Sequence, residues 1–473
     1  MMTLSEAARA LDAALEGEDR RCRGVCTDSR TLASGELFVA LHGERFDGHR
    51  FLAEAVAAGA AGAIVERERL QAAADRGAWA ALPLIFVSDT RLALGKLAAY
   101  WRRQFALPLV ALTGSSGKTT VKEMLAAILR AACGESAAVS EDESAVLATR
   151  GNLNNDIGVP LMLLRLTASH RYAVIEMGMN HAGEIRYLAR LAAPDVALVN
   201  NAGRAHIEFL GSEEAIARAK GEIYEDLGAA GTAVINADDE HATLWRALAG
   251  IHRHLEFGLG AGDVTASYRL HPLGSEIVLH TPRGDASVKL AAPGLHNVHN
   301  ALAAAAVAVA LDVAPPAIAE GLSRFAGVKG RLQKRSSPQG ATLIDDTYNA
   351  NPDSVRAAID VLAAVPGKRI LVLGDMGELG GQGPRLHEEI GRYAKSSGVD
   401  ALYGLGELAA GAVRAFGPGA RHCATADEVL HALGSELGPD VTVLVKGSRF
   451  MRMERVADAL SGDAPESNSR GHA

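Results

Sequence analysis

The sequence predicts an α/β protein with three domains. Short apolar runs alternate with helix-like segments between residues 109 and 326, and the same alternation returns beyond residue 341. A smaller mixed region precedes both, and its short strands and loops carry many polar residues. At 473 residues the chain is long enough for several separate cores. We place the domains at 1–83, 84–326 and 327–460, followed by a disordered tail at 461–473.

The composition is typical of a soluble globular chain. Hydrophobic residues make up 48% and charged residues 22%, with a formal net charge of −8. Because the net charge is negative, we expect neither nucleic acid nor an anionic membrane surface as a partner. The longest apolar run, 301–311, is too short to span a bilayer, and the N-terminus does not resemble a signal peptide. We therefore expect a cytoplasmic protein, and a monomer, since nothing in the composition requires an obligate oligomer.

The first domain begins with a predicted helix and continues with short strands. Thr3 and Glu6 have the spacing of a capping box, and apolar residues follow on one helical face up to Leu15. The segment TDSRTLASGELFVALHGERFDGHRF then places polar residues, including Arg30 and His49, on both sides of a short strand. Turn formation alone explains such residues, because Asp-Ser and Asp-Gly pairs favour turns.

The central domain is organised around LVALTGSSGKTTVKEMLAAIL at residues 109–129. An apolar strand leads into glycines, which let backbone N–H groups surround phosphate oxygens at the start of a helix. Lys118 would reach the terminal phosphates, and the Thr119 hydroxyl would bind Mg²⁺. The standard pattern has a glycine where this chain has Leu112, so a turn that binds nothing is the alternative. The strand–loop–helix context favours nucleotide binding. The nucleotide-binding loop residues are Gly114, Ser115, Ser116, Gly117, Lys118, Thr119 and Thr120.

Four apolar runs that begin at 109, 172, 195 and 232 alternate with helices. With the phosphate loop, they predict a P-loop NTPase-like domain with a mostly parallel sheet, in which ligands collect at the carboxyl ends of the strands. Glu176 ends one of these strands. A carboxylate in an apolar strand is costly to bury unless it meets a cation, so Glu176 is a candidate magnesium ligand. Pairing with backbone donors or an arginine is the alternative.

Four further residues have ordinary explanations as well as chemical ones. His206 lies in a loop and is either a metal ligand or a plain loop histidine. Lys220 lies in a helix with acidic residues at both ends, which favours a solvated ion pair. Asn297 and Asn300 open an Ala-rich helix, where asparagine commonly serves as a cap. The two amides could also recognise an adenine edge.

The remaining chain predicts an insertion, a hinge and a third domain. Alternation of polar and apolar residues between 255 and 293 predicts a small antiparallel insertion with a Pro-Arg-Gly-Asp turn. The Gly- and Lys-rich segment GVKGRLQK, 327–334, predicts a hinge. Strand and helix patterns repeat beyond it, and a Rossmann-like doubly wound domain is the simplest account of them.

Taken together, these motifs resemble the bacterial Mur ligases, the ATP-dependent amide-forming enzymes of peptidoglycan precursor synthesis. TGSSGKTT resembles the phosphate loop of that family, GLHNVHNALAA its adenine-binding segment and IARAKGEIY the segment whose lysine is carbamylated. Within the family, GNLNNDIGVPLMLL, MGMNHAGEI, DDTYNANPDS and LGDMGELG are most similar to the members that add D-alanyl-D-alanine to UDP-N-acetylmuramoyl-tripeptide. The DSR and FDGH segments are shared with the member that adds the preceding diamino acid, but its DNPR-type motif is not found here.

The resemblance implies formation of UDP-N-acetylmuramoyl-pentapeptide through an acyl phosphate, with ATP, two Mg²⁺ ions and a carbamylated Lys220. Catalytic roles are implied for Lys118, Lys220 and His206. Further nucleotide contacts are implied for Asn297, Asn300, Arg331 and Asp346. Magnesium ligands are implied to be Thr119, Glu176, His206 and Lys220. The UDP-muramoyl substrate is implied to bind Ser29, Arg30, His49, Asn152, Asn154 and Asn155. Candidates for the dipeptide site are Asn349, Asn351, Lys446 and Ser448.

An acyl phosphate hydrolyses if water reaches it, so we expect the third domain to close over the central one about the hinge. A sister ligase with another acceptor, such as a diamino acid or a polyglutamate chain, is the nearest alternative function. A P-loop switch that hydrolyses nucleotide without forming a bond is a second alternative. A switch requires neither the polar first domain nor two further nucleotide-facing segments, which disfavours it.

Overall fold

The computed structural model describes residues 1–44, 46–70, 76–136, 139–204 and 207–462. Strands and helices alternate along these residues and form four sheets, which confirms the predicted α/β class and its three-domain arrangement. His206 lies outside the described residues, as does the segment 463–473 of the predicted tail. Ser461, which the prediction assigned to that tail, instead ends a helix.

The first sheet has five strands. They are β1 (Ala14–Glu16), β2 (Val25–Cys26), β3 (Leu37–Val39), β4 (Gly62–Glu66) and β5 (Leu84–Val87). Their spatial order is β1-β5-β4-β3-β2, and only β1 is antiparallel to its neighbour. The helices around this sheet are α1 (Leu4–Ala10), α2 (Leu52–Ala57), α3 (Arg67–Leu70), α4 (Arg76–Trp79) and α5 (Thr90–Arg102), with a 3₁₀ turn at Gly48–Phe51.

Two sequence predictions about this region need correction. The Thr3 side chain caps α1 as predicted, but Leu15 lies in β1 rather than on the helix. The domain boundary after residue 83 is one strand too early, because β5 pairs with both β1 and β4. An apolar run reveals that a strand forms, but the choice of sheet depends on partners distant in the sequence.

The central sheet has six strands, all parallel. They are β6 (Leu109–Thr113), β7 (Val146–Ala148), β8 (Tyr172–Glu176), β9 (Val196–Val199), β10 (Thr232–Asn236) and β11 (Arg253–Phe257). Their order is β11-β10-β9-β6-β8-β7, which places the strand before the phosphate loop inside the sheet. The helices that precede the insertion are α6 (Lys118–Ala132), α7 (Gly158–Leu163), α8 (Glu184–Ala192), α9 (Ile207–Leu210), α10 (Glu213–Gly221) and α11 (Ala242–Ala249), with a 3₁₀ turn at Glu222–Tyr224.

The predicted antiparallel insertion is a three-stranded sheet of β12 (Thr265–His271), β13 (Gly274–Thr281) and β14 (Gly284–Leu290). Two helices follow it, α12 (Leu295–Ala310) and α13 (Pro315–Arg324). The alanines of α12 are buried against α6 and the sheet, since small side chains let helix and sheet approach closely. Leu273, between β12 and β13, packs against the core of the third domain.

The third domain has a six-stranded sheet in the order β15-β16-β20-β17-β18-β19. Its strands are β15 (Gln333–Ser336), β16 (Thr342–Asp346), β17 (Lys368–Gly374), β18 (Ala401–Leu405), β19 (Ala420–Cys423) and β20 (Val441–Lys446). Only β15, which begins within the predicted hinge, is antiparallel. The helices are α14 (Pro352–Ala363), α15 (Gly383–Ser396), α16 (Ala409–Phe416), α17 (Ala426–Gly434) and α18 (Glu454–Ser461), with 3₁₀ turns at Gly380–Gln382 and Arg449–Met451. Across the described chain, no helix is both long and apolar enough to cross a membrane.

Candidate active site

A cleft of about 830 Å³ lies between the carboxyl ends of the central strands and the third domain. Its walls combine the phosphate loop, the segments after β8, β9 and β10, the start of α12 and the start of α14. Most of the residues that the sequence singled out meet here. Those that line the cleft are Ser115, Ser116, Gly117, Lys118, Thr120, Asn152, Asn154, Asn155, Glu176, Asn297, Asn300, Arg331, Asp346, Asn349, Asn351 and Lys446.

The phosphate loop requires a glycine at position 117 for two reasons. Gly117 is the N-cap of α6 and has a φ of +76°, a left-handed conformation that side chains disfavour. A Cβ atom there would also lie 2.3 Å from Oδ1 of Asn300 and 2.7 Å from Nδ2 of Asn200. Lys118 Nζ donates to the Gly114 carbonyl at 2.6 Å, so the ammonium lies across the loop. This arrangement leaves the positive end of α6 facing the cleft.

Asn201 fixes the phosphate loop through three hydrogen bonds. Its Oδ1 accepts a hydrogen bond from the Ser116 backbone N–H at 2.9 Å, and its Nδ2 donates to the Ser116 carbonyl at 3.1 Å. Its carbonyl accepts from the Ser115 backbone N–H at 3.0 Å. The predicted site omitted Asn200 and Asn201, although their position directly after a parallel strand was the signal that could have found them.

Asn297 and Asn300 form a buried amide network beside the loop. Asn300 donates to Oδ1 of Asn297 at 3.0 Å, and Asn297 donates to the Pro293 carbonyl at 2.7 Å. Asn200 donates to Oδ1 of Asn300 at 3.2 Å. Neither Asn297 nor Asn300 caps α12, because its N-cap is Gly294. The network therefore fixes the start of α12 against the phosphate loop.

Glu176 presents one carboxylate oxygen that has no partner within the described chain. Oε1 accepts from Nδ2 of Asn154 at 2.8 Å, and the Glu176 backbone N–H donates to Oγ1 of Thr149 at 2.9 Å. Oε2 is buried and makes no hydrogen bond to any described residue. Leaving a buried carboxylate oxygen unsatisfied is costly, and hard divalent cations prefer such oxygen ligands. The cleft therefore fits a Mg²⁺ ion at this carboxylate, and the role of Thr119 as a second ligand stays a prediction.

Lys220 is buried on α10, which rules out the solvated ion pair considered from sequence. Burial lowers the pKa of its ammonium well below the ordinary value, and the positive charge of Lys118 lowers it further. No carboxylate among the described residues offsets these effects. A neutral amine is the form that reacts with CO₂, so the site is compatible with a lysine carbamate. Burial also lowers the pKa of Lys118, although Glu176 opposes this effect.

The third domain reaches into the cleft with charged groups. Nη2 of Arg331 donates to the Thr119 hydroxyl at 2.9 Å, and the Arg331 guanidinium lies 4.2 Å from the centre of the Tyr348 ring. Lys446 Nζ donates to Oδ2 of Asp346 at 2.6 Å. Burial raises the pKa of Asp346, and the neighbouring Lys446 opposes this rise. The predicted nucleotide and dipeptide candidates Asp346 and Lys446 are therefore paired with each other.

Three predicted contact residues use their side chains within the protein. Ser448 lies outside the cleft lining, and its hydroxyl donates to the Ala350 carbonyl at 3.0 Å, so its assignment to a dipeptide site stays a prediction. Asn351 caps α14 in a capping box with Ser354. The Oδ1 atom of Asn155 accepts from the Gly158 N–H at 2.8 Å at the start of α7. Local turn chemistry thus accounts for the side chains of Asn351 and Asn155, whereas Ser448 bonds to a residue distant in the sequence.

The first-domain candidates lie apart from the cleft. His49 is buried; its Nδ1 is 2.7 Å from Oδ1 of Asp47, and its Nε2 accepts from the Glu66 N–H at 2.9 Å. Both ring nitrogens thus have partners within the protein, and a contact of His49 with the substrate stays a prediction. The Arg30 side chain is exposed, and its guanidinium forms an ion pair with Asp28. Because it is exposed, Arg30 stays a predicted substrate contact, together with Ser29.

Fold and site together define a multidomain P-loop protein whose nucleotide site is completed by a second doubly wound domain. Three family models match the chain: the Mur ligase family catalytic domain at 21–102, the Mur ligase middle domain at 112–308 and the Mur ligase glutamate ligase domain at 330–449. The chain belongs to the Mur ligase family.

Relatives cover nearly the whole chain. The UDP-N-acetylmuramoyl-tripeptide–D-alanyl-D-alanine ligase of Escherichia coli (strain K12) is 43% identical over 97% of this chain and 98% of its own length. The crystal structure of MurF from Acinetobacter baumannii is 39% identical, with a TM-score of 0.87 over 98% of this chain and 99% of that one. The MurF ligase from Thermotoga maritima in complex with ADP is 29% identical, with a TM-score of 0.80 over 93% of this chain and 97% of that one. The resemblance predicted from sequence is confirmed.

Proposed function

We propose that this chain is an ATP-dependent ligase that joins D-alanyl-D-alanine to UDP-N-acetylmuramoyl-tripeptide, giving UDP-N-acetylmuramoyl-pentapeptide, ADP and phosphate. The observation that carries the proposal is the cleft, which the phosphate loop, Glu176 and the third domain all face. UDP-N-acetylmuramoyl-tripeptide–D-alanyl-D-alanine ligases of two bacteria match the chain over 96–97% of its length. We also propose that it acts in the cytoplasm as a monomer.

Amide formation from a carboxylate and an amine is uphill in water, so the carboxylate must be activated. The terminal carboxylate of the tripeptide attacks the γ-phosphorus of ATP, and the bond between that phosphorus and the β,γ-bridging oxygen breaks. The products of this step are an acyl phosphate and ADP. Lys118 and the start of α6 lie where charge develops on the transferred group. The dipeptide amine then attacks the acyl carbon, and phosphate is released. Excluding water from the cleft protects the acyl phosphate.

When bound, Mg²⁺ supplies positive charge between two polyanionic substrates. Glu176 and Thr119 would hold the first ion, and the orphan oxygen of Glu176 supports that assignment. We propose that Lys220 carries a carbamate, which converts a cation into an oxygen donor for a second ion. The burial of Lys220, which lowers the pKa of its ammonium well below the ordinary value, supports this proposal. His206 stays a proposed metal ligand.

We place the two peptides on different walls of the cleft. The UDP-muramoyl-tripeptide is assigned to the segment that carries Asn152 and Asn154, which line the cleft. Its uridine end is assigned to Ser29 and Arg30 in the first domain. The dipeptide then meets the third-domain wall near Asn349. Asn152 and Asn349 line the cleft, which supports their assignment.

The test uses purified protein with ATP, Mg²⁺ and UDP-N-acetylmuramoyl-tripeptide, with and without D-alanyl-D-alanine. We expect phosphate release that depends on the dipeptide, together with a product of pentapeptide mass, and neither from a Lys118→Met variant. Turnover only with UDP-muramoyl-dipeptide and a free diamino acid would assign the chain to the sister ligase. Phosphate release indifferent to both peptides would indicate a nucleotide switch.

A further inference from the structure

Arg204 joins the central domain to two helices of the third domain. Its Nε and Nη2 atoms lie 3.0 Å and 2.5 Å from Oδ1 of Asp353, in the first turn of α14. Its backbone N–H donates to Oδ2 of the same carboxylate at 3.1 Å. Its Nη1 donates to Oε1 of Glu389 on α15 at 3.3 Å. One residue therefore carries four polar contacts across the domain boundary.

The segment before Arg204 is tied to the phosphate loop. The Gly203 N–H donates to Oγ of Ser115 at 3.0 Å, and that hydroxyl donates back to the Gly203 carbonyl at 3.3 Å. A Cβ atom at Gly203 would lie 3.0 Å from Oδ2 of Asp353, so the two domains approach closely at this point. Adjacent residues, Gly203 and Arg204, make the loop contact and the interdomain contact. A short series of hydrogen bonds therefore connects the phosphate loop to α14.

The pair is partly buried. The Arg204 side chain is 20% exposed and the Asp353 side chain 44%. Burial lowers the pKa of Arg204, but the contacts with Asp353 and Glu389 outweigh this effect and raise it. Arg356 also donates to Glu389 at 2.8 Å, which fixes that carboxylate in place. Charge-assisted hydrogen bonds from several guanidinium nitrogens give direction as well as strength. The contact can therefore set the angle at which α14 meets the cleft.

We propose that Arg204 is a positioning residue for amide formation, a clamp that holds the start of α14 over the phosphate loop. This inference rests on the proposed function. The clamp fixes Asn349 and the wall at which the dipeptide amine must approach the acyl carbon, and correct placement is worth much of the rate of a two-substrate reaction. Without it, ATP still binds the phosphate loop, but the acceptor is held loosely and water reaches the acyl phosphate.

The experiment compares Arg204→Ala with the matched control Arg246→Ala. Arg246 makes a two-nitrogen contact to Glu256 within the central domain, so its removal costs a similar ion pair that does not cross the boundary. For Arg204→Ala we expect kcat/KM for the dipeptide to fall about tenfold, with the KM for ATP within about twofold of wild type. The yield of pentapeptide per phosphate released should also fall. Arg204→Lys should recover part of the loss, and Arg246→Ala should match wild type.

A second readout does not depend on turnover. With Mg²⁺ and a non-hydrolysable ATP analogue, the solution scattering radius of Arg204→Ala should exceed that of wild type and of Arg246→Ala. If Arg204→Ala fails to fold, Asp353→Asn replaces it in the experiment. Asp353→Asn keeps the shape of the side chain but removes its charge, and it should give the same expansion. Equal radii and equal pentapeptide yields in all variants would overturn the clamp. The two proposals can fail separately. If Arg204→Ala expands but the wild type makes no pentapeptide, the clamp stands as a domain contact and the ligase function is refuted.

Discussion

Nη2 of Arg331 donates to the hydroxyl of Thr119 across 2.9 Å, although 212 residues separate the two along the chain. Thr119 lies in the first turn of α6, and Arg331 lies just before β15 at the entrance to the third domain. The guanidinium also stacks on Tyr348 at 4.2 Å. A planar cation is therefore fixed above the loop that would bind phosphates, and its position depends on both domains.

Replacement of Arg331 by lysine tests this geometry. We expect Arg331→Lys to lower kcat/KM for ATP about 10- to 100-fold, because lysine keeps the charge but loses the planar fork and the ring stacking. Steady-state kinetics with ATP as the varied substrate measure the effect. Arg369→Lys is the control, since Arg369 pairs with Asp400 far from the cleft and should stay near wild type. Equal activity of the two variants would contradict the expectation.

Gly117 and Gly134 form a matched pair for the phosphate loop. Their φ angles are +76° and +75°, but a Cβ atom meets Asn300 at position 117 and nothing within 4 Å at position 134. Each alanine substitution should cost about 1 kcal/mol of unfolding free energy from the left-handed backbone. Only Gly117→Ala should lose nucleotide binding, which calorimetry with ADP can detect. Similar ADP affinities for both variants would show that the close approach at Gly117 is not needed.

The burial of Lys220 predicts a pH-dependent stability difference. Burial lowers the pKa of its ammonium, so the unfolded chain binds an extra proton between the folded pKa and the ordinary value of 10.5. This group therefore makes the protein more stable as pH rises through that window. In CO₂-depleted buffer, Lys220→Met should be more stable than wild type at pH 7, and the difference in unfolding free energy should shrink toward pH 10.

The same variant should lack ligase activity, because methionine cannot form a carbamate. Urea denaturation at both pH values measures stability, and Lys96→Met, at an exposed position on α5, is the control. Intact mass measured in bicarbonate should reveal one added CO₂ on the wild type and none on Lys220→Met. A Lys220→Met variant no more stable than wild type at pH 7 would contradict the burial cost.

His296 predicts acid sensitivity. Burial lowers the pKa of its imidazole to about 4, and the positive charges of Lys446 and His299 contribute. Between the ordinary value of 6.5 and about 4 the unfolded chain takes up the proton first, so stability falls as pH falls through this window. Partial exposure of the ring limits this loss to about 2 kcal/mol.

His296→Gln should reduce the loss of unfolding free energy between pH 6.5 and pH 4, measured by urea denaturation. The slope that remains belongs to other groups, among them His299 and His387, whose pKa values burial also lowers. His431→Gln, at an exposed position on α17, is the control and should follow wild type. Identical pH profiles for His296→Gln and His431→Gln would refute the role of His296.

Local patterns predicted the parts of the fold whose causes are local. Apolar runs located β6, β8, β9 and β10, because strand formation follows the hydrophobic pattern of a few residues. The turn between β13 and β14 was evident from its Pro-Arg-Gly-Asp sequence. The strand β7 was missed because three residues carry little pattern, and β15 was missed because its sequence, QKRS, is polar. The phosphate loop could be predicted from sequence because its backbone conformation requires glycine.

By itself, the sequence determined the α/β class, the three domains, the phosphate loop and the family, all of which are written in contiguous segments. Only the tertiary structure decided that β5 completes the first sheet, that His49 bonds internally and that Lys220 is buried beside Lys118. It alone brought Arg204 to Asp353. The physical reason is that burial and pairing are properties of neighbours in space, and residues far apart in the chain supply them.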